Sequence, residues 1–308
     1  MHRDVKRLTV DRGSIEFSVA GEGEPILVFH GGHSNCYEEF GFQKLVESGF
    51  QLITPSRPGY GKTSKEIGES LEASCIAYEA IITHLGLEKV HVLAISAGGP
   101  VGIFFASRYP ERVRTLTLQS AVTKEWLTPA DKEYKAARVL FRPSVEKYTW
   151  RMISLLNNRF PQFLFKNMAP SFSTLSYKKL MGKLNAEDIE EFRKMNNRQR
   201  SGAGFLIDLE QTKTIKAEDL AAVKCPAIIM QSKFDGFIPL AHAEHAHNNI
   251  PASKLVVLDS WGHLIWLGKE ADKAHTTVIN FLRANTINDK IDKKATDPKR
   301  KNMVTKKD

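Results

Sequence analysis

The residues with the clearest chemical potential lie in Lys89–Pro110, KVHVLAISAGGPVGIFFASRYP. Val90–Ile95 is an apolar run long enough for a buried strand. Ala97–Tyr109 reads as a helix with Pro100 in its first turn, where a missing N–H does no harm. A chain that passes from strand to helix through Ser96 alone must bend sharply. The bend lifts the hydroxyl clear of the backbone and sets it over a helix N-terminus, whose partial positive charge stabilises an oxyanion. Gly98 and Gly99 leave room for the turn to pack. The chemistry this suggests is attack by an activated hydroxyl. The alternative is a strand–helix turn with an ordinary capping serine.

Two other stretches invite chemistry and fit it less well. Gly61-Lys62-Thr63 suggests a phosphate loop, but the position that needs the first glycine of that motif is Ser56, and Pro58 and Tyr60 occupy the loop. His242, His245 and His247 suggest a metal site. At 3.6 residues per turn His242 and His245 share a helix face while His247 points away, so three ligands do not converge; the cluster reads as a solvated helix face, and no metal is expected.

Ala94-Ile95-Ser96-Ala97-Gly98 resembles the G-x-S-x-G nucleophile elbow of the α/β-hydrolase family, with alanine in place of the first glycine. Upstream, the short apolar strand Ile26–Phe29 ends in His30-Gly31-Gly32-His33-Ser34, similar to the loop that supplies an oxyanion-hole N–H in that family. The resemblance implies Gly32 and Ala97 as the two donors, with His30 holding the loop and His33 facing the pocket. Ser56-Arg57-Pro58-Gly59-Tyr60-Gly61 resembles a further loop of the family. Ser232-Lys233-Phe234-Asp235-Gly236 follows the strand Ala227–Gln231 and looks like the acid loop, which points to Asp235. His263, after the last strand Lys254–Leu258, stands where the family places its base. Asp259 is a rival acid, disfavoured because it lies only four residues before His263. Elbow serines also separate this chain from family members that use aspartate there.

These residues need a scaffold. The fold class implied is α/β: an α/β-hydrolase fold with a mostly parallel central sheet flanked by helices and a helical cap inserted after the sixth strand. Val5–Val10 and Ser14–Val19 read as a hairpin, Tyr37–Ser48 as a helix and Ile265–Ala284 as the last helix. The segment 123–219 is rich in Lys, Arg, Phe and Met and breaks into amphipathic helical pieces, the expected cap, between core segments 1–122 and 220–284. Phe141, Trp150, Met152, Phe163, Phe165 and Met168 would supply apolar walls, and Trp261 together with His33 and Trp150 is expected to contact substrate. The basic and aromatic mixture of the cap also suits a membrane-surface lid, a weaker reading.

Composition agrees with a large folded core: 308 residues, 42% hydrophobic and 26% charged. Three scattered cysteines form no disulfide framework, and the N-terminus has no apolar signal segment, so a cytoplasmic protein is expected. The formal charge is +9, of which the 285–308 tail, with seven Lys and one Arg against four Asp, carries about half. That tail reads as solvated and unstructured rather than as a nucleic-acid arm. No stretch has the length of a membrane span.

The expectation is therefore a cofactor-independent serine hydrolase, monomeric or homodimeric, acting on a small, fairly apolar ester or lactone. His263 would take the proton of Ser96, Asp235 would orient His263, and Gly32 and Ala97 would hold the oxyanion, each donor contributing about 3 kcal/mol. The same scaffold also carries C–C bond hydrolases, aminopeptidases, cofactor-free haloperoxidases and slow-turnover ligand-binding proteins, and a fold does not choose among them.

Overall fold

Alternation along the strands decides the layers. Leu27 and Phe29 point to one side of the sheet and Ile26 and Val28 to the other. Ala227 and Ile229 divide from Ile228 and Met230 in the same way, so these strands are apolar on both faces. A sheet of this kind must be covered on both sides by helices. The structure, a computed structural model, describes residues 1–39 and 41–296 and realises this arrangement.

The strands are β1 (Asp4–Val10), β2 (Gly13–Ala20), β3 (Glu24–Phe29), β4 (Phe50–Pro55), β5 (Val90–Ile95), β6 (Val113–Gln119), β7 (Ala227–Ser232) and β8 (Ser253–Leu258). They form an eight-stranded sheet in the order β1-β2-β4-β3-β5-β6-β7-β8. β2 runs antiparallel to β1 and β4, and the pairs from β4–β3 to β7–β8 are parallel. The first hairpin turns at Arg12 and Gly13, both with positive φ.

On one face lie α2 (Leu71–His84) and α3 (Gly99–Arg108), packed against Leu27, Phe29, Val92 and Leu116. On the other lies α1 (Phe42–Glu47). Between β6 and β7 the chain makes α4 (Lys132–Leu140), α5 (Glu146–Arg159), α6 (Pro161–Phe172), α7 (Tyr177–Met181), α8 (Ala186–Arg198), α9 (Gly204–Gln211) and α10 (Ala217–Ala221). α11 (Leu240–Asn249) and α12 (Ala271–Thr296) complete the fold. The long insertion shares the core: Phe165, Phe172 and Phe192 pack with Trp261 and Val28 on the α1 side of the sheet.

Three boundaries differ from expectation for local reasons. α1 begins at Phe42 rather than near Tyr37, because the Asn35 side chain takes the Tyr37 N–H at 2.9 Å, Glu38 takes the Glu39 N–H at 2.8 Å, and Gly41 has φ +65°. α12 begins at Ala271 rather than Ile265, because Gly268 at φ +91° interrupts the helix. α12 then continues to Thr296, into the segment expected to be an unstructured tail; 297–308 lies outside the described residues.

Candidate active site

β5 ends in the core and Ser96 follows at φ +52°, a left-handed conformation unusual for a residue with a Cβ. That angle turns strand into helix within one residue. Close approach is required around it: a Cβ on Gly98 would lie 2.3 Å from the Phe29 carbonyl oxygen, and one on Gly99 2.0 Å from that of Val122. The alanine at position 94 is accommodated by its neighbour. A Cβ on Gly102 would sit 2.5 Å from that of Ala94, so the methyl absent from α3 is the space that Ala94 fills.

β7 and β8 deliver the other two residues. Asp235 and His263 are both buried, and His263 Nδ1 lies 2.8 Å from Asp235 Oδ2 while His263 Nε2 lies 3.0 Å from Ser96 Oγ. The acid is held by more than the imidazole. The backbone N–H groups of Phe237 and Ile238 each donate to Oδ1 at 2.8 Å, and Gln231 Nε2 donates to Oδ2 at 2.7 Å. Three donors on one carboxylate fix its orientation toward His263. Asp259, the rival acid, is on the surface with Lys183 and Lys233.

The insertion helps to place these loops, which the sequence did not reveal. The Phe172 carbonyl at the end of α6 accepts from the His263 N–H at 2.8 Å and the Gly236 N–H at 3.2 Å. Ser173 Oγ donates to the Trp261 carbonyl at 2.5 Å, and Ser120 Oγ donates to that of His263 at 2.7 Å. Gly262 is required here, since a Cβ would lie 2.3 Å from Phe172 O.

The glycine loop after β3 has its own clamp. Arg57 is buried, donates through Nε to the His30 carbonyl at 2.8 Å and through Nη2 to that of Gly31 at 3.2 Å, and forms a two-armed pair with Asp208 of α9. Tyr60 donates its hydroxyl to the same carboxylate at 2.6 Å. The Arg57 N–H donates to His30 Nε2 at 3.0 Å, so the imidazole proton is on Nδ1 and meets Gly31 O at 2.7 Å. Burial beside the Arg57 guanidinium pushes His30 well below the usual histidine range. Asp208 holds Arg57 firmly in its charged form. The Gly32 N–H has no protein acceptor among the described residues, and Ala97 lies in the first helical turn, where N–H groups lack an intrahelical partner.

A cavity of about 680 Å³ opens over Ser96, lined by Gly32, Ala97 and His263 from the core and by residues of the insertion. Its charged lining, histidines aside, is acidic: Asp131 and Glu133 contribute and no Lys or Arg does among the described residues. Of the expected apolar walls, Phe141, Trp150 and Met168 line it, Phe165 packs in the core, and Met152 and Phe163 are exposed. Two expectations need correction. Trp261 is not on the cavity wall; it is buried among Phe165 and Phe172, with its indole N–H donating to Leu264 O at 3.1 Å. His242, expected on a solvated face, is buried and lines the cavity, because α11 turns that face inward toward Thr123. His33 lines the cavity.

The order of strands, the elbow and the clustered Ser96, Asp235 and His263 define an α/β hydrolase. A family model described as alpha/beta hydrolase fold matches residues 24–270, and the chain belongs to that family. It is 59% identical over 284 residues to an uncharacterised hydrolase of Bacillus subtilis (strain 168), covering 92% of this chain and 100% of the relative. It is 25% identical over 283 residues to a 2-hydroxy-6-oxo-6-phenylhexa-2,4-dienoate hydrolase of Burkholderia cepacia, covering 87% and 91% of the two chains. Among solved structures, an α/β hydrolase fold protein from Nakamurella multipartita superposes with a TM-score of 0.79 at 25% identity, over 91% of this chain and 99% of its own.

Proposed function

We propose that this hydrolase is a serine esterase or lactonase that cleaves a small, largely apolar and uncharged acyl substrate through an acyl-enzyme. The observation that carries the reading is the continuous line of hydrogen bonds from Asp235 through His263 to Ser96, 2.8 and 3.0 Å long, ending inside an aromatic cavity. His263 Nε2 takes the Ser96 proton as Oγ attacks the carbonyl carbon. Asp235 keeps the proton on Nδ1 and stabilises the imidazolium that forms. The Gly32 and Ala97 N–H groups receive the oxyanion. His263 then protonates the leaving alcohol, and water, deprotonated by the same imidazole, releases the acid.

C–C bond hydrolysis is the second reading, favoured by the relatives named as dienoate hydrolases. A dienoate carries a carboxylate, which calls for a cation to meet it. A cavity wall with Asp131 and Glu133 and without Lys or Arg supports the neutral ester or lactone instead. Labelling with a fluorophosphonate tests the reading. Wild type is expected to label at Ser96 and to turn over short-chain p-nitrophenyl esters, with Ser96→Ala lowering kcat by on the order of 10⁶-fold. A folded wild type that resists labelling would refute it, and turnover confined to vinylogous dienoates would move the assignment to the C–C class.

A further inference from the structure

We infer that His33 and His242 are a pair of neutral hydrogen-bond donors in the cavity and that they select substrates carrying an uncharged oxygen acceptor on the chain beyond the scissile carbonyl. This rests on the serine-hydrolase reading and adds a polar specificity element to a largely apolar pocket.

The argument is a proton count. A backbone N–H can only donate, and that of Thr123 donates to His242 Nδ1 at 3.2 Å. Nδ1 therefore carries no proton, and the proton of the neutral ring is on Nε2. Thr123 also fixes the helix that carries the ring, donating through Oγ1 to the His242 carbonyl at 2.7 Å. For His33 the constraint comes through Ser201. The Trp150 indole N–H, a donor only, lies 2.7 Å from Ser201 Oγ, and His33 Nδ1 lies 2.7 Å from the same oxygen. Ser201 is fully buried and its hydroxyl meets no other acceptor among the described residues, so the arrangement that strands no buried donor has Ser201 accepting from Trp150 and giving its single O–H to His33 Nδ1. The His33 proton is then on Nε2 as well.

Both rings line the cavity, and among the described residues no protein group meets either Nε2. Neither ring is charged near neutral pH: burial, reinforced by the Arg57 charge, lowers His33 to about 3, and burial, reinforced by Lys124, lowers His242 to about 4. Cavities bind with a few placed polar groups among apolar walls, and here His33 and His242 supply neutral N–H donors beside Ser171, Gln199, Asp131 and Glu133. A neutral donor matches an ether, ketone or ester oxygen. An alkyl chain in the same place would leave the donors without a partner, which is the basis of discrimination against it.

The test uses pairs of p-nitrophenyl esters that differ by one oxygen: β-methoxypropanoate against pentanoate and γ-methoxybutanoate against hexanoate, each normalised to its rate with hydroxide. The readout is the ratio of kcat/KM within a pair, so any general loss in a variant cancels. Wild type is expected to favour the oxygen-containing chain at one position by about fivefold, the worth of one neutral hydrogen bond. His242→Asn and His33→Asn keep an oxygen where Nδ1 stood and remove Nε2–H; asparagine also tolerates the φ of +63° at position 33. One or both should bring the ratio to about one. Where turnover is slow, the same ratio is read from labelling of Ser96 by paired methoxyalkyl and alkyl fluorophosphonates. A wild-type ratio near one in every pair, or a preference that survives in both variants, overturns the inference and leaves the serine hydrolase standing. Failure of Ser96 to react with any ester or fluorophosphonate overturns the hydrolase reading and the inference with it.

Discussion

Ala94 shows how a single methyl is reconciled with the turn after β5. The elbow needs β5 and α3 in near contact, and the family pattern achieves this with glycine at position 94. Here the glycine is on the helix, at Gly102. Gly102→Ala should therefore destabilise by about 1–3 kcal/mol through overpacking, although glycine to alanine in a helix ordinarily gains about 1 kcal/mol. In an Ala94→Gly background the same change should stabilise. Urea unfolding of the four proteins of this cycle checks the sign reversal. Titration gives a second prediction at this scale. Unfolded imidazoles gain a proton near pH 6.5, whereas His33 takes none until about 3 and His242 none until about 4. The unfolded chain binds more protons in that window. The stabilisation is whole above pH 6.5 and is lost as pH falls toward the folded values, by up to about 1.4 kcal/mol per pH unit for each ring. Unfolding midpoints measured on either side of pH 6 should fall with acid, and His242→Asn should flatten the slope.

At the scale of elements, the Arg57–Asp208 pair joins the loop after β4 to α9 of the insertion and at the same time grips the His30 and Gly31 carbonyls of the glycine loop after β3. Both side chains are about 97–98% buried, so removing one charge strands the other. Asp208→Asn is expected to lower stability by about 3–5 kcal/mol. It should also reduce kcat/KM by on the order of 10²-fold, because Arg57 loses the carboxylate that holds it against the His30 and Gly31 carbonyls. Equilibrium unfolding with an ester assay measures both. A variant that loses stability but keeps full activity would show that the clamp serves the fold alone.

For the whole molecule, the insertion and the sheet are one structure. Phe165, Phe172 and Phe192 belong to the same apolar cluster as β3 and β7, and the Phe172 carbonyl bonds both the acid loop and the histidine loop. Loss of the insertion's packing should release Asp235 and His263 together. Far-UV circular dichroism, tryptophan fluorescence and hydrolase activity are expected to report coincident denaturation curves. Activity lost well before the backbone signal would mean that the insertion unfolds independently.

The sequence by itself determined the sheet, the elbow and the order Ser96, Asp235, His263. Those features are written locally: short apolar runs make buried strands, and a polar residue placed just after such a run must emerge at the strand's end. Tertiary structure alone decided what no local pattern encodes. It buried Trp261 against Phe172 instead of exposing it to the cavity. It turned His242 inward because Thr123, far away in sequence, meets its ring. It paired Arg57 with Asp208 across the boundary between core and insertion. Which face of a helix is wet, which nitrogen carries a proton and which charge finds a partner all depend on groups brought together by chain crossings. Periodicity along one segment carries no record of them.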